Sequence, residues 1–147
     1  GYIATFILDV LTRRKVLRTG FRGALATDPY HLSGNRTLNR PTVLVTNEQS
    51  ASNTEIFTEM YRRLGLGQVV GKATAGRVIG TVNRPLLNGS YVRLPMYAYT
   101  TPEGENLEGT GRQVDVRVAQ PIGAWQAGRD AQLDAAVATL LATLDGM

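Results

Sequence analysis

Thr42-Val43-Leu44-Val45-Thr46-Asn47-Glu48-Gln49-Ser50-Ala51-Ser52-Asn53-Thr54-Glu55-Ile56-Phe57 decides the fold. Residues 42–46 are β-branched and apolar and lie between Pro41 and Asn47, which predicts a short buried strand. Ile56, Phe57, Met60, Tyr61 and Leu64 then recur at helical spacing and predict a helix with one apolar face. The stretch therefore reads as strand, tight polar turn and helix, with Ser50 and Ser52 at the junction. A hydroxyl in such a turn is exposed, and the first N–H groups of the helix point at negative charge that develops beside it. The same residues, Ser52-Asn53-Thr54-Glu55, also spell an S-x-x-E capping box. Taken alone, a serine there is a helix cap, so the rest of the chain has to decide its role.

Working outward, the 147 residues suffice for one domain with a core. A 43% hydrophobic and 19% charged composition is that of an ordinary globular protein. The net charge of +4 is scattered. Its densest cluster, Arg13-Arg14-Lys15 with Arg18, reads as the solvated C-terminal end of a helix, where the dipole favours cations. No aromatic residues interleave with the charge, which argues against nucleic acid as a partner. The absence of cysteine excludes disulfides and thiolate metal sites. The single histidine, His31, has no ligand cluster around it, so no metal or other cofactor is implied. No apolar run reaches membrane-spanning length, and no signal peptide precedes the first helix. The chain begins at Gly1 rather than Met, which points to a processed or truncated piece.

Residues 3–15 predict an amphipathic helix, with Ile3, Phe6, Ile7, Val10 and Leu11 on one face. Residues 20–41, rich in Gly, Pro, Asn, Thr and Ser, predict a long surface connection that holds His31. A lone loop histidine reads as a surface group rather than a base. After the helix, which ends near Gly65 and Gly67, residues 68–70 predict a second strand. The Gly71–Arg77 loop lacks the order G-x-x-x-x-G-K-[ST] and is not a nucleotide site. Residues 78–87 and 91–100 predict two strands joined at Asn88-Gly89, both turn positions taking positive φ, with Pro85 and Pro95 marking edges or bulges. Residues 101–111 read as a loop and 114–118 as a last strand. Asp130 caps a helix to about Leu144, with Leu133, Ala136, Val137, Leu140 and Leu141 on its apolar face. The order is helix, strand, helix, strand, hairpin, strand, helix, an α/β arrangement whose strand–helix units need crossover connections.

Several of these segments line up with one family. Residues Asn47 to Phe57 resemble the nucleophile segment of the C-terminal-processing (tail-specific) serine peptidases, and more closely the tricorn-protease core branch. Leu64 to Gly76 resembles the family's G-x-x-V-G-x-x-T-x-G run, and Leu87-Asn88-Gly89-Ser90 its hairpin turn. Thr101-Pro102-Glu103-Gly104, Leu107-Glu108-Gly109-Thr110-Gly111 and Val114-Asp115-Val116 resemble its closing segment, and Gly128 to Leu133 the start of its last helix. The resemblance covers residues 42–144. It implies a crotonase/ClpP-like layered β-β-α spiral, and one catalytic-type peptidase domain over residues 1–147 that forms the C-terminal part of a longer chain.

The resemblance also implies peptide-bond hydrolysis through an acyl-enzyme, with Ser52 in the nucleophile slot and Ser50 as the alternative. Asn53 fills the first oxyanion slot through its backbone N–H, and Gly1 or its immediate neighbour the second. Losing one such donor typically costs about 3 kcal/mol in the transition state. Tail-specific members use a lysine as base in the slot that here holds Arg77, and a guanidinium cannot take the serine proton. Lys72 lies nearby but reads as a solvated loop lysine. The tricorn branch uses a serine-histidine-serine-glutamate set, and Glu108 falls in its glutamate slot, as the group that orients a histidine or bridging serine. The histidine of that branch precedes this segment and His31 does not replace it, so the chain alone is expected to lack its base. The implied partner is a peptide or protein substrate added as a strand to a sheet edge near Gly1 and Ser52; a homo-oligomer is compatible with the reading. The cell envelope, periplasmic or secreted, is the expected compartment, with the cytoplasm as the alternative. Two rivals remain at this stage: a non-catalytic peptide- or ligand-binding module on the same fold, and a crotonase-type acyl-CoA enzyme that needs no serine nucleophile.

Overall fold

The computed structural model describes residues 1–13, 23, 38 and 40–146. The elements follow the predicted order: α1 (Ala4–Leu11), β1 (Leu44–Thr46), α2 (Asn53–Arg63), β2 (Val69–Gly71), β3 (Ile79–Pro85), β4 (Tyr91–Ala98), β5 (Val116–Arg117) and α3 (Ala131–Asp145). Helices and strands thus mix as an α/β chain. The segment that carried His31 lies outside the described residues.

β1, β2 and β5 form a parallel sheet in the order β1-β2-β5, and β3 and β4 form a separate antiparallel hairpin. Parallel neighbours cannot be joined by a tight turn. α2 makes the crossover from β1 to β2, and the hairpin with the loop after it makes the crossover from β2 to β5. β2 is the centre of the core: Val69 and Val70 are fully buried. Leu44 pairs with Val69 and Thr46 with Gly71. Gly71 is required there. Its φ is +121°, and a Cβ on it would stand 2.1 Å from the Thr46 carbonyl oxygen. α3 packs on β2 and β1, and α1 packs on α2.

Four expectations are corrected by this packing. α1 ends at Leu11, not near residue 15, and the Thr12 hydroxyl donates back to the Leu8 carbonyl at 2.8 Å. Arg13 therefore lies beyond the last turn, where it pairs with Asp9; Arg14, Lys15 and Arg18 lie outside the described residues. α1 buries Ala4 and Leu8 rather than Ile3, Phe6, Ile7 and Val10, because the small Ala4 side chain lets the helix approach α2 closely. α2 buries Tyr61 with two polar residues, Glu55 and Thr58, while Ile56, Phe57 and Met60 are half-buried and Leu64 is exposed. The face against the core is polar since it meets backbone N–H groups of the loop after β2. α3 starts where predicted: Asp130 accepts from the Gln132 and Leu133 N–H groups at 3.1 and 3.0 Å. It buries Gln132 and Ala136, however, and leaves Leu133, Val137 and Leu141 exposed.

The hairpin turn also differs from expectation. The Gly89 N–H donates to the Leu86 carbonyl and the Leu86 N–H to the Ser90 carbonyl. This closes a three-residue loop in which Gly89 alone has positive φ, at +82°. Asn88 instead accepts from the Ser90 N–H through its side chain. The predicted irregularity near Pro95 is present as a register shift opposite Gly80 and Thr81. Among the described residues no helix is long and apolar enough to cross a membrane.

Candidate functional site

Ser52 occupies the turn between β1 and α2, exposed, with φ 59° and ψ −120°. It is the one non-glycine residue with positive φ among the described residues. A conformation of this kind costs about 1–3 kcal/mol and persists only where its surroundings over-determine it. Here they do. The Ser52 N–H donates to the Arg77 carbonyl at 2.9 Å and to Glu55 Oε2 at 3.0 Å. The Ser52 carbonyl accepts from the Glu55 and Ile56 N–H groups at 2.9 and 3.2 Å. The hydroxyl is set as the other half of a capping box, toward the Glu55 N–H, but makes no cap hydrogen bond of full geometry.

Glu55 does more than cap. It is fully buried, and four donors converge on its carboxylate. Oε1 accepts from the Thr74 hydroxyl and the Gly76 N–H, each at 2.6 Å. Oε2 accepts from the Arg77 N–H at 2.8 Å besides the Ser52 N–H. A buried carboxylate is tolerable only when satisfied in this way. One side chain thereby locks the Ser52 turn to the loop 74–77. The network runs on: Thr74 Oγ1 accepts from the Arg112 N–H at 2.7 Å. The buried Arg112 guanidinium donates to Glu59, Glu105 and the Thr110 carbonyl. Burial pushes the Glu59 carboxyl up, but hydrogen bonds from Arg63 and Arg112 outweigh it and hold the group below the usual carboxylate range.

The predicted site residues fall around this frame. Asn53 is the first residue of α2, and its N–H has no acceptor among the described residues, whereas those of Thr54 and Glu55 are taken by Ala51 and Ser52 carbonyls. Its side-chain Oδ1 accepts from the Ala4 N–H at 3.0 Å, which brings the start of the chain beside it. A Cβ on Gly1 would lie 3.4 Å from the Asn53 Cβ, and Gly1, Ser52 and Asn53 line one cleft of about 170 Å³. Glu108 is half-buried, and its Oε2 accepts from the Val78 N–H. Two successive residues thus join the serine to the carboxylate: Arg77 takes the Ser52 N–H, and Val78 gives its own to Glu108. The Arg77 side chain is exposed and makes no hydrogen bond or ion pair among the described residues, so its place in the site is that of its backbone. Ser50 shapes the turn before Ser52: its hydroxyl accepts from the Asn47 N–H at 3.1 Å and its carbonyl from the Ala75 N–H at 2.8 Å. Lys72 Nζ is paired with Glu48 at 3.0 Å.

Sequence reasoning missed Glu55, Thr74 and Arg112 as parts of the site. The S-x-x-E spacing was the one signal for Glu55, and it pointed to a cap. Among the described residues no group of three or more His, Cys, Asp or Glu side chains could hold a metal ion.

Comparison with known proteins agrees with this geometry. The model of "Peptidase family S41" matches residues 6–118. Tricorn protease homolog 1 of Streptomyces coelicolor is 41% identical over 147 residues, covering 99% of this chain and 13% of the relative. The tricorn protease of Thermoplasma volcanium is 30% identical over 151 residues, covering 99% of this chain and 14% of the relative. A crystal structure of the tricorn protease superposes with a TM-score of 0.83 at 26% identity, over 99% of this chain and 14% of that one. The chain thus spans about one seventh or less of the length of these relatives. A family match across most of the chain, on a fold that presents an exposed serine at the matched turn, has one reading: the chain belongs to peptidase family S41.

Proposed function

We propose that this chain is the nucleophile domain of a serine endopeptidase, built as a crotonase/ClpP-like layered spiral and acting through an acyl-enzyme on Ser52. The observation that carries the reading is the exposed, strained Ser52 beside an Asn53 N–H with no acceptor among the described residues. Ser52 Oγ attacks the peptide carbonyl carbon and its proton leaves to a base. The carbonyl oxygen becomes an oxyanion facing the Asn53 N–H, with Gly1 as the second donor. The amine departs with a proton, and water then cleaves the ester and restores the hydroxyl. Arg77 keeps its proton and Lys72 is held by Glu48, so the base comes from outside the described residues. Glu108 orients that base through the oxygen it does not give to Val78. The substrate is an extended peptide laid along the hairpin edge beside Ser52.

The test is labelling of the full-length protein with a fluorophosphonate probe, together with peptide hydrolysis. Ser52→Ala is expected to abolish labelling and to lower kcat by at least about 10³-fold. Ser50→Ala is expected to keep both. Persistence of hydrolysis in Ser52→Ala would overturn the assignment.

A further inference from the structure

The cleft at Ser52 has a second wall. Opposite Ser52 and Ile56 stands the β3–β4 hairpin, which turns Thr81, Arg93, Tyr97 and Tyr99 into the same space. Gly80 lets this wall close up: a Cβ there would lie 2.7 Å from the Tyr97 Cβ, so the tyrosine lies against bare backbone. Arg93 is tethered across the hairpin, its Nε–H donating to Thr81 Oγ1 at 2.5 Å. Its two terminal nitrogens make no hydrogen bond and no ion pair among the described residues. Among the described residues no Asp or Glu lines the cleft. Among the described residues other arginines with carboxylate neighbours use them: Arg63 holds Glu103 with both terminal nitrogens, and Arg112 holds Glu59 and Glu105. Arg93 is left as a cationic fork, part of its freedom already spent on Thr81, over a wall of tyrosine and isoleucine.

A planar fork with two donors matches a carboxylate in two parallel hydrogen bonds. We propose that Arg93 selects peptides that place a carboxylate beside the bond presented to Ser52, supplied by an acidic side chain or by the chain terminus. The proposal rests on the reading of the Ser52 cleft as the substrate site. The aromatic and aliphatic wall takes the stem of that residue, and the guanidinium takes its charged end. A basic residue at the same position meets a like charge and is rejected.

The experiment uses full-length protein carrying Ser52→Ala, so that binding is read without cleavage. Fluorescein-labelled peptides bear Glu, Gln or Lys at each scanned position, each with a free or an amidated C-terminus, and their affinity is measured by anisotropy. A carboxylate is expected to gain about tenfold in affinity over its neutral counterpart. That gain is expected to fall to about onefold in Arg93→Ala, to survive in part in Arg93→Lys, and to turn into a preference for Lys in Arg93→Glu. A gain confined to the Glu peptides assigns the carboxylate to a side chain; one confined to free C-termini assigns it to the terminus. An equal gain in Arg93→Ala, or no gain in any peptide, overturns the proposal. Fluorophosphonate labelling of the unmutated protein is scored separately. No labelling, with the Arg93-dependent preference intact, sinks the peptidase reading alone; labelling without the preference sinks the Arg93 proposal alone.

Discussion

Glu55 shows how a helix cap and a strained turn can be one device. Its carboxylate receives the Ser52 N–H as a capping box requires, and three further donors from residues 74–77. The strained φ of Ser52 is held by the same bonds. Glu55→Gln puts an NH₂ group where only acceptors fit, and at least one donor then faces a donor. Unfolding in urea is expected to show a loss of about 2–4 kcal/mol. Fluorophosphonate labelling of Ser52 should slow as well, because the turn loses its tether. Thr74→Val removes one donor to Glu55 and the acceptor of the Arg112 N–H, and about 1–3 kcal/mol should go with it. Stability equal to wild type in both variants would show that the network is not what holds the turn. The turn that carries Ser52 and Asn53 was legible in the sequence because the strand, turn and helix that make it are local. Thr74 and Arg112 were not, since their partners lie 19 and 38 residues away in the chain. Arg77 was weighed for its side chain, whereas the bonds it makes here are those of its backbone.

At the level of elements, hydrophobic period and turn residues were enough to order the helices and strands. They did not settle which faces would be covered. α2 presents Glu55 and Thr58 inward because its neighbour is a loop of N–H groups, a fact of tertiary placement that no periodicity carries. Two predictions belong here. Gly71→Ala forces a Cβ to 2.1 Å from the Thr46 carbonyl oxygen at positive φ, so β1 and β2 must part. Urea denaturation is expected to register at least about 2 kcal/mol of lost stability. The second concerns acid. α2 is clasped to the 101–111 loop by Arg63, which holds Glu103 in two hydrogen bonds and brings its carboxyl down to about 2. A carboxyl depressed by folding contributes stability above its unfolded value, and that contribution is lost as pH falls through the folded one. The thermal midpoint should therefore fall as pH drops from 4.5 towards about 2. Glu103→Gln should fall less over that window. An equal fall in the variant would detach the clasp from acid stability.

Across the whole molecule, apolar surface is left over. Tyr2, just before α1, is 91% exposed and Phe6 on α1 69%, Leu133 is 53% and Leu141 54% exposed on α3, and β4 is exposed along its entire length. Leu133, Val137 and Leu141 recur at four-residue spacing, which sets them in one stripe along the helix. Scattered exposed apolar residues are ordinary; a contiguous stripe is the signature of a face that is covered by something. This is also why the predicted apolar faces of α1 and α3 were read correctly as amphipathic and wrongly as buried within these residues. The 147-residue chain prepared by itself should therefore associate with itself. Light scattering is expected to give a mass above the 15.9 kDa of one chain, rising with concentration. Replacing Leu133, Val137 and Leu141 together by Ser should lower that mass. It should leave the circular dichroism of the helix unchanged, since exposed positions carry little of the folding energy. A chain that stays at the mass of one copy at every concentration, with the stripe intact, would mean that α3 needs no cover. The stripe would then be surface like any other.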